Sequence, residues 1–365
     1  MTITTPHPTS ALDVLVIGAG QSGLGLGYHL RRAGLRFTIV DAATSLGESW
    51  RSRWDSLRLF TPAEYCSLPG LPFPAPGGTY PSKDAVAGYL QTYAETFDLP
   101  VQLNTVVRQV TRNEDGTFTA GTDRGTIRAR QVVVATGPFQ TPVIPDLAAG
   151  LSASVVQLHS ATYRRPDDVP AGHVVVVGAG NSGLQIAEEL AAAGRDVTVA
   201  VGSRPRTIRQ RPLGKDLFWW LTRTRLIDIT SGNRLAGKFQ TRELVIGTSW
   251  RSLRRAGVAL RPRLTGTQGH VVQFSDGGHE RVDGVVWATG FRSEYDWLNV
   301  PGAIVDGKPR HTRGVSPVEG LSFLGLPWQH TRGSALLGFV QDDAAWLANH
   351  LTAQAQAASP RPAAA

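Results

Sequence analysis

Two six-residue stretches, GAGQSG at 18–23 and GAGNSG at 178–183, carry glycine at their first, third and sixth positions. Between a strand and a helix, that spacing lets the backbone approach a pyrophosphate, whose charge then rests on free N–H groups at the positive end of the helix. The candidate contacts are Gly18, Gly20, Gln21, Ser22 and Gly23 in the first copy, and Gly178, Gly180, Asn181, Ser182 and Gly183 in the second. A constant offset of 160 residues also superimposes Gly34 on Gly194. A whole dinucleotide-binding unit therefore recurs, and the chain has two clamps to account for.

The elements that must hold these turns are legible on either side. The β-branched runs DVLVI (13–17) and HVVVV (173–177) read as parallel strands buried on both faces. The stretches QSGLGLGYHLRRAG and NSGLQIAEELAAAG read as helices closed by Gly34 and Gly194. RFTIV and DVTVAV follow as second strands. At the end of the first of these stands Asp41, a carboxylate placed to accept hydrogen bonds from ribose hydroxyls, which suits FAD. The corresponding residue of the second copy is Val201, followed by Ser203, Arg204 and Arg206. Hydroxyl and guanidinium groups there would hold a ribose 2′-phosphate that a carboxylate would repel, which suits NADPH. Two further strands end in the same small triplet, at Ala135-Thr136-Gly137 and Ala288-Thr289-Gly290. Such ends are expected where a backbone passes close to a bound nucleotide or crosses between domains.

Elsewhere, residues 68–81 are too rich in proline and glycine for regular structure, and residues 83–97 read as a helix. The segment 101–131 reads as a small antiparallel meander, and VVQF with RVDGVVW as a second short pair. The tail from 355 onward is expected to lack regular structure. At 365 residues and 41% hydrophobic content, two ordinary domains can each bury a core. The lone Cys66 excludes a cysteine-pair redox centre or a cysteine zinc site and reads as a small buried apolar residue. No metal site is expected. The net charge of +8 rests on 33 arginines against 4 lysines and can draw in a polyanion such as NADPH; no nucleic-acid motif accompanies it. No run approaches the roughly 18 apolar residues of a membrane span, and the opening MTITTPHPTS lacks the apolar core of a signal peptide, so the cytoplasm is the expected compartment.

Taken together, GAGQSG, GESWRSRWDSLRLFTP, the two ATG ends, GAGNSG with GSRPR, and LHSATY resemble the flavin-containing monooxygenases of the short bacterial type, related to Baeyer-Villiger and YUCCA-like enzymes. The resemblance runs from about residue 12 to 350. It implies an α/β fold of two Rossmann-like domains, an NADPH domain (166–285) inserted into a split FAD domain (1–165 and 286–365). It also implies that Gly47, Trp50 and Arg51 lie along the flavin; core packing is the competing reading for Trp50 and a better one for Trp54. The activity implied is transfer of one oxygen atom of dioxygen to a small lipophilic substrate at nitrogen, sulfur or a carbonyl, with NADPH reducing FAD. The competing functions are an NADPH oxidoreductase serving a quinone, metal or protein acceptor, and a flavin-based redox sensor.

Three departures bear on the chemistry. The family fingerprint survives only from His159 to Tyr163, with Ala153 and Val155 in place of Phe and Gly; His159 and Tyr163 serve equally well as linker packing. Phe60, followed by Thr61, stands where many relatives place an asparagine near the reactive flavin carbon. Tyr163 replaces the tryptophan typical of Baeyer-Villiger enzymes. Phe60, Thr61, Asn181, Trp328 and Gln329 are the residues expected nearest the reaction; for Asn181 a role at the helix start competes. The last helix is expected to start near Gly333 or Ser334. The segment 207–256, with its DLFWWLTRTRL core, reads as a substrate lid or a homodimer contact, ahead of a membrane-surface helix.

Overall fold

The computed structural model describes residues 11–233, 236, 237 and 244–357. Its first strand, Leu12–Ile17, buries Val14, Leu15, Val16 and Ile17 and pairs in parallel with Phe37–Val40 on one side. On the other side it pairs in parallel with the second half of the long strand Gly125–Val134. An unbroken apolar strand requires cover on both faces, and this one has it. The long strand also joins two kinds of sheet. Its first half pairs antiparallel with Phe118–Thr122, and its end pairs in parallel with Leu321–Phe323. Val107–Arg112 and Leu298–Asn299 extend the antiparallel end. Val101–Gln102 does not join this meander, as the alternation suggests, but pairs in parallel with Phe37–Val40 at the far edge. The reason is the backbone around it: Ile39 donates to the carbonyl of Pro100 and Asp41 to that of Gln102, which draws the short strand there.

The second sheet is wholly parallel, in the order Ala259–Arg261, Asp196–Ala200, His173–Val177, Gly284–Trp287, Val156–His159. Val174, Val175 and Val176 at its centre are fully buried. Leu264–Gln268, Val271–Phe274 and His279–Arg281 form an antiparallel meander beside it; the expected pairing of VVQF with RVDGVVW is corrected, because Gly284–Trp287 is buried within the parallel sheet and VVQF pairs with His279–Arg281 instead. In both copies of the repeat the helix after the glycine turn, Gln21–Arg32 or Asn181–Ala192, ends in the same way. Leu35 N–H reaches the Leu30 carbonyl and Gly34 N–H that of Arg31; Arg195 and Gly194 repeat the pair on Leu190 and Ala191. With left-handed φ of 70° and 78° at the two glycines, each is a Schellman cap.

The helix Lys83–Thr96 starts at Ser82, whose hydroxyl accepts from Ala85 N–H. The last helix begins at Val340, later than expected, because residues 331–339 form a series of turns. Gly338 lies in these turns, and a side chain there would lie 2.1 Å from the Tyr65 carbonyl, so the chain passes close against the loop after residue 60. The helix continues to Ala357, into the stretch expected to be irregular; residues 358–365 lie outside the described part. Leu347 and Leu351 pack it into one core with Leu24, Leu26 and Leu30 of the first helix. No described helix is long and apolar enough to cross a membrane.

Candidate active site

The two glycine turns repeat in detail. Gly18 lies at φ 110° and Gly178 at φ 114°, and an added Cβ would meet the carbonyl oxygen of Ala135 at 2.5 Å or of Ala288 at 2.2 Å. The ATG ends therefore lie against the first glycines of the clamps: Ala135 N–H donates to Ile17 and Ala288 N–H to Val177. Gly23 and Gly183 would bring Cβ atoms within 1.9 and 2.1 Å of the carbonyls of Gly18 and Gly178. Gly20 differs, with nothing within 4 Å of its missing side chain. One face of the turn is sealed by protein and the other is open. Gly20 and Gly180 are the N-caps of the two helices, and neither has a side chain satisfying the first N–H groups. Open space and uncapped donors at the positive helix end fit a pyrophosphate.

Asp41 accepts from Ala19 N–H (2.6 Å) and Ala43 N–H (2.8 Å), which fixes its carboxylate at the mouth of the first turn with lone pairs to spare. Gln21 Nε2 donates to the Ala335 carbonyl (3.0 Å), and a Cβ on Gly325 would lie 2.2 Å from Ser22 Oγ. The loop after Leu321–Phe323 therefore closes over the first turn. Within that loop Trp328 adopts φ 58°, and Gln329 is buried with Nε2 lacking a hydrogen-bond partner. The Gln329 amide lies within its own loop, with Oε1 accepting from Leu326 N–H (3.3 Å) and Nε2 close against Gly314. Gly47 is the N-cap of the short helix Glu48–Arg51, which contains Trp50 and Arg51 and packs on Lys83–Thr96. A Cβ on Gly47 would meet Ala87 Cα at 2.6 Å, and Arg51 donates to Ser45, to the Leu46 carbonyl and to Gln91. Trp54 is buried in the core of the second sheet.

At the second turn, Asn181 bonds backbone from a distant segment: Nδ2 donates to the Leu244 carbonyl (3.0 Å) and Oδ1 accepts from Ile246 N–H (3.1 Å). Ser203, Arg204 and Arg206 follow the strand Asp196–Ala200 and are exposed, with the Arg204 guanidinium 5.2 Å from the Trp250 ring centre. Arg263 went unnoticed in the sequence. Its Nη2 donates to the Gly202 carbonyl (3.4 Å), placing a third guanidinium by this loop. The signal available was only that it follows a strand, Ala259–Arg261, that would lie next to Asp196–Ala200.

Past the ATG ends the chain crosses between the sheets twice. Thr141–Pro142 pairs antiparallel with Phe291–Arg292. Gln140 Nε2 donates to Thr136 Oγ1 and to the Gly137 carbonyl, its Oε1 accepts from Glu294 N–H, and Thr289 Oγ1 donates to the Val143 carbonyl. His159 fastens the crossing. Ala161 N–H donates to its Nδ1 (3.0 Å), which makes Nε2 the protonated nitrogen donating to the Gly290 carbonyl (3.1 Å). Burial holds its pKa below the ordinary histidine value, and the charge of Arg53 adds to this. Arg53 lies over Phe139 and Phe291, and its own pKa is lowered by burial and then by Arg164. Tyr163, fully buried, donates to Glu189 (2.8 Å).

An aromatic cluster joins three separated parts of the chain. Phe218 stacks on Phe60 (6.0 Å) and Phe339 (5.9 Å), and Tyr65 stacks on Phe339 (6.2 Å). Leu217, Ile246 and Leu336 complete it. Phe218 belongs to the helix Leu217–Arg223, whose N-cap Asp216 accepts from Phe218 N–H through Oδ1 and from Tyr80 Oη (2.8 Å) and Gln210 Nε2 (2.9 Å) through Oδ2. Gln210 also donates to the Phe60 carbonyl (2.8 Å). A bridge between Thr230 and Thr331 ties the same segment to the C-terminal loop. Thr61 is buried, and its carbonyl accepts from Cys66 Sγ (3.5 Å). Cys66 is fully buried, and burial pushes its pKa up to about 12, so it is the inert apolar residue read from the sequence.

Two dinucleotide turns, one on a mixed and one on a parallel sheet, laced by paired crossings, define a flavin- and pyridine-nucleotide-dependent oxidoreductase. Residues 15–232 match the model of the pyridine nucleotide-disulphide oxidoreductase family, and the chain belongs to that family, in its flavin-containing monooxygenase branch. It is 43% identical over 344 residues to an oxidoreductase named CzcO-like from Geobacillus kaustophilus, covering 93% of this chain and 98% of that protein. It is 28% identical to the rice indole-3-pyruvate monooxygenase YUCCA1, covering 90% and 86%. The structure resembles a flavin-containing monooxygenase from Stenotrophomonas maltophilia with a TM-score of 0.79 and 29% identity, covering 94% of this chain and 99% of that one. The chain is an FAD-dependent oxidoreductase with NADP(H) as its second cofactor.

Proposed function

We propose that FAD occupies the turn at Gly18 and NADPH the turn at Gly178, and that the protein transfers one oxygen atom of dioxygen to a small lipophilic substrate. The balance is NADPH, a proton, dioxygen and substrate giving NADP, water and the oxygenated product. Reduced flavin supplies the chemistry with dioxygen; the chain supplies binding, orientation and exclusion of water. Gly20 and the uncapped N–H groups of the first helix receive the pyrophosphate, and Asp41 the ribose. Arg204 and Arg206, with Ser203, receive the 2′-phosphate. Asn181 holds the second turn against Leu244–Ile246 and thereby sets where a nicotinamide enters. We draw the division between the expected domains, 166–285 within 1–165 and 286–365, at the paired crossings, with Val156–His159 lending its strand to the inserted unit.

The observation that carries the reading is the cluster of Phe60, Tyr65, Phe218 and Phe339. It is assembled from the loop after the first clamp, the insert after the second and the C-terminal loop. The residues that form it are apolar or aromatic. Burial, then Glu64 and Asp216, raise the pKa of Tyr65, so its phenol stays neutral and the surroundings suit a neutral, largely apolar substrate. On this reading the segment containing Phe218 is a lid. The test is a substrate panel in which NADPH consumption is set against product mass and hydrogen peroxide. Product matching NADPH supports oxygenation. Brisk NADPH oxidation that needs a quinone or ferric acceptor and proceeds without dioxygen supports an electron-transfer oxidoreductase instead.

A further inference from the structure

We propose that the outer side of the segment from Arg211 to Leu226 docks on an anionic lipid surface. Leu213 is 90% exposed and held at φ 52°, ψ 34°. A left-handed backbone disfavours a leucine by about 1–2 kcal/mol, and glycine or asparagine would relieve it. The fold thus pays strain to present an alkyl side chain outward. Three of the six large hydrophobic side chains exposed among the described residues, Leu213, Trp219 and Leu226, lie in this stretch, too concentrated for scattered surface residues.

The turn and the helix are tied together. Trp220 Nε1 donates to the Pro212 carbonyl (3.0 Å) and anchors the Leu213 turn to the helix, while Trp219 packs edge-on against Trp220 with Lys215 Nζ 5.8 Å from its ring centre. Leu217 and Phe218 face inward, and Trp219 and Arg223 are exposed.

Charge selects the partner. From Arg211 to Leu226 the sequence has four basic residues and one acid, Asp216, whose carboxylate is engaged inward by Tyr80, Gln210 and Phe218 N–H; the exposed Asp228 follows. Arg209, Lys215, Arg223 and Arg225 are exposed around the apolar residues. A second copy would bring an equally basic face and be repelled. A nucleic acid would meet the charge but has no use for a strained leucine. Tryptophan and leucine that enter the headgroup layer, ringed by arginine and lysine, match an anionic bilayer. The docking does not depend on the oxygenation reading. Its consequence does: the inner side of this segment covers the aromatic cluster, so docking would place the substrate entrance where lipophilic molecules dissolve.

The test is flotation of the full-length, FAD-loaded protein with vesicles of phosphatidylcholine and phosphatidylglycerol, and with phosphatidylcholine alone. Binding to the mixed vesicles only, weakened by salt, is expected. Arg223→Glu with Arg225→Glu should lower the partition coefficient about tenfold or more. Leu213→Gly should raise the melting temperature while weakening vesicle binding about tenfold, a split that a purely structural leucine would not show. All variants should keep their flavin and basal NADPH oxidation. Equal binding to both vesicles, or none, overturns the proposal. So does a solution dimer of the wild type that Leu213→Asp converts to monomer, which would make the face a contact between copies.

Discussion

An alanine side chain has room at position 20 and none at position 18, so the two substitutions separate ligand approach from folding. Gly18→Ala should lower both melting temperature and flavin content, since its Cβ would collide with the Ala135 carbonyl. Gly20→Ala should cost the stripped protein about 1 kcal/mol or less and still reduce FAD retained through purification. Full flavin content in Gly20→Ala would place the pyrophosphate elsewhere. At the second clamp, Arg204→Ala should raise the KM for NADPH roughly tenfold to a hundredfold, for a charge-assisted contact of about 1.5–3 kcal/mol, and leave NADH unaffected. Equal loss with both nucleotides would make Arg204 structural, and Arg206 and Arg263 become the residues to test.

Three histidines wholly or partly withdrawn from solvent carry a prediction with a definite sign. Burial holds His29, His159 and His311 below the ordinary value, so the unfolded chain binds more protons than the folded one near pH 6. The stability this represents is present above about pH 6.5 and is lost as pH falls through the lower folded values. Melting temperature should therefore decline on acidification from neutrality, and His159→Asn should flatten the decline by removing one contributor. An unchanged slope would show that the crossing does not release His159 when it protonates.

Among the elements, the insert was least legible. Strands, glycine turns and their helices follow from local periodicity, and the symmetry of the two copies needed no tertiary knowledge. The stretch DLFWWLTRTRL reads as aromatic on one side and basic on the other, but the helix Leu217–Arg223 buries Phe218 and exposes Trp219, because the packed side is set by Phe60, Tyr65 and Phe339, all distant in sequence. Likewise Asn181 looked like a nicotinamide contact from its place in the turn, while its amide bonds to Leu244 and Ile246 depend on where the insert returns. Gly338 shows the same limit, since its close contact with Tyr65 is invisible before the fold is known. The element invites its own experiment. Asp216→Ala removes the acceptor shared by Tyr80 and Gln210 and should loosen the lid at a cost of about 1–3 kcal/mol. Hydrogen peroxide formed per NADPH should rise, with the KM for NADPH little changed. A variant coupled as tightly as the wild type would show that the insert is a scaffold and not a lid.

For the molecule as a whole, two clamps in one chain would serve no purpose unless electrons pass between their ligands. The lone, buried Cys66 removes the disulfide chemistry in the name of the broader family, which leaves dioxygen or an external acceptor as the destination. The measurement that separates them is incubation of the FAD-loaded protein with NADPH and a panel of small lipophilic substrates under isotopically labelled dioxygen, followed by product mass. The account predicts a product carrying one labelled oxygen atom, formed in step with NADPH consumed. Labelled oxygen found only in hydrogen peroxide across the panel, with no labelled product, would contradict it.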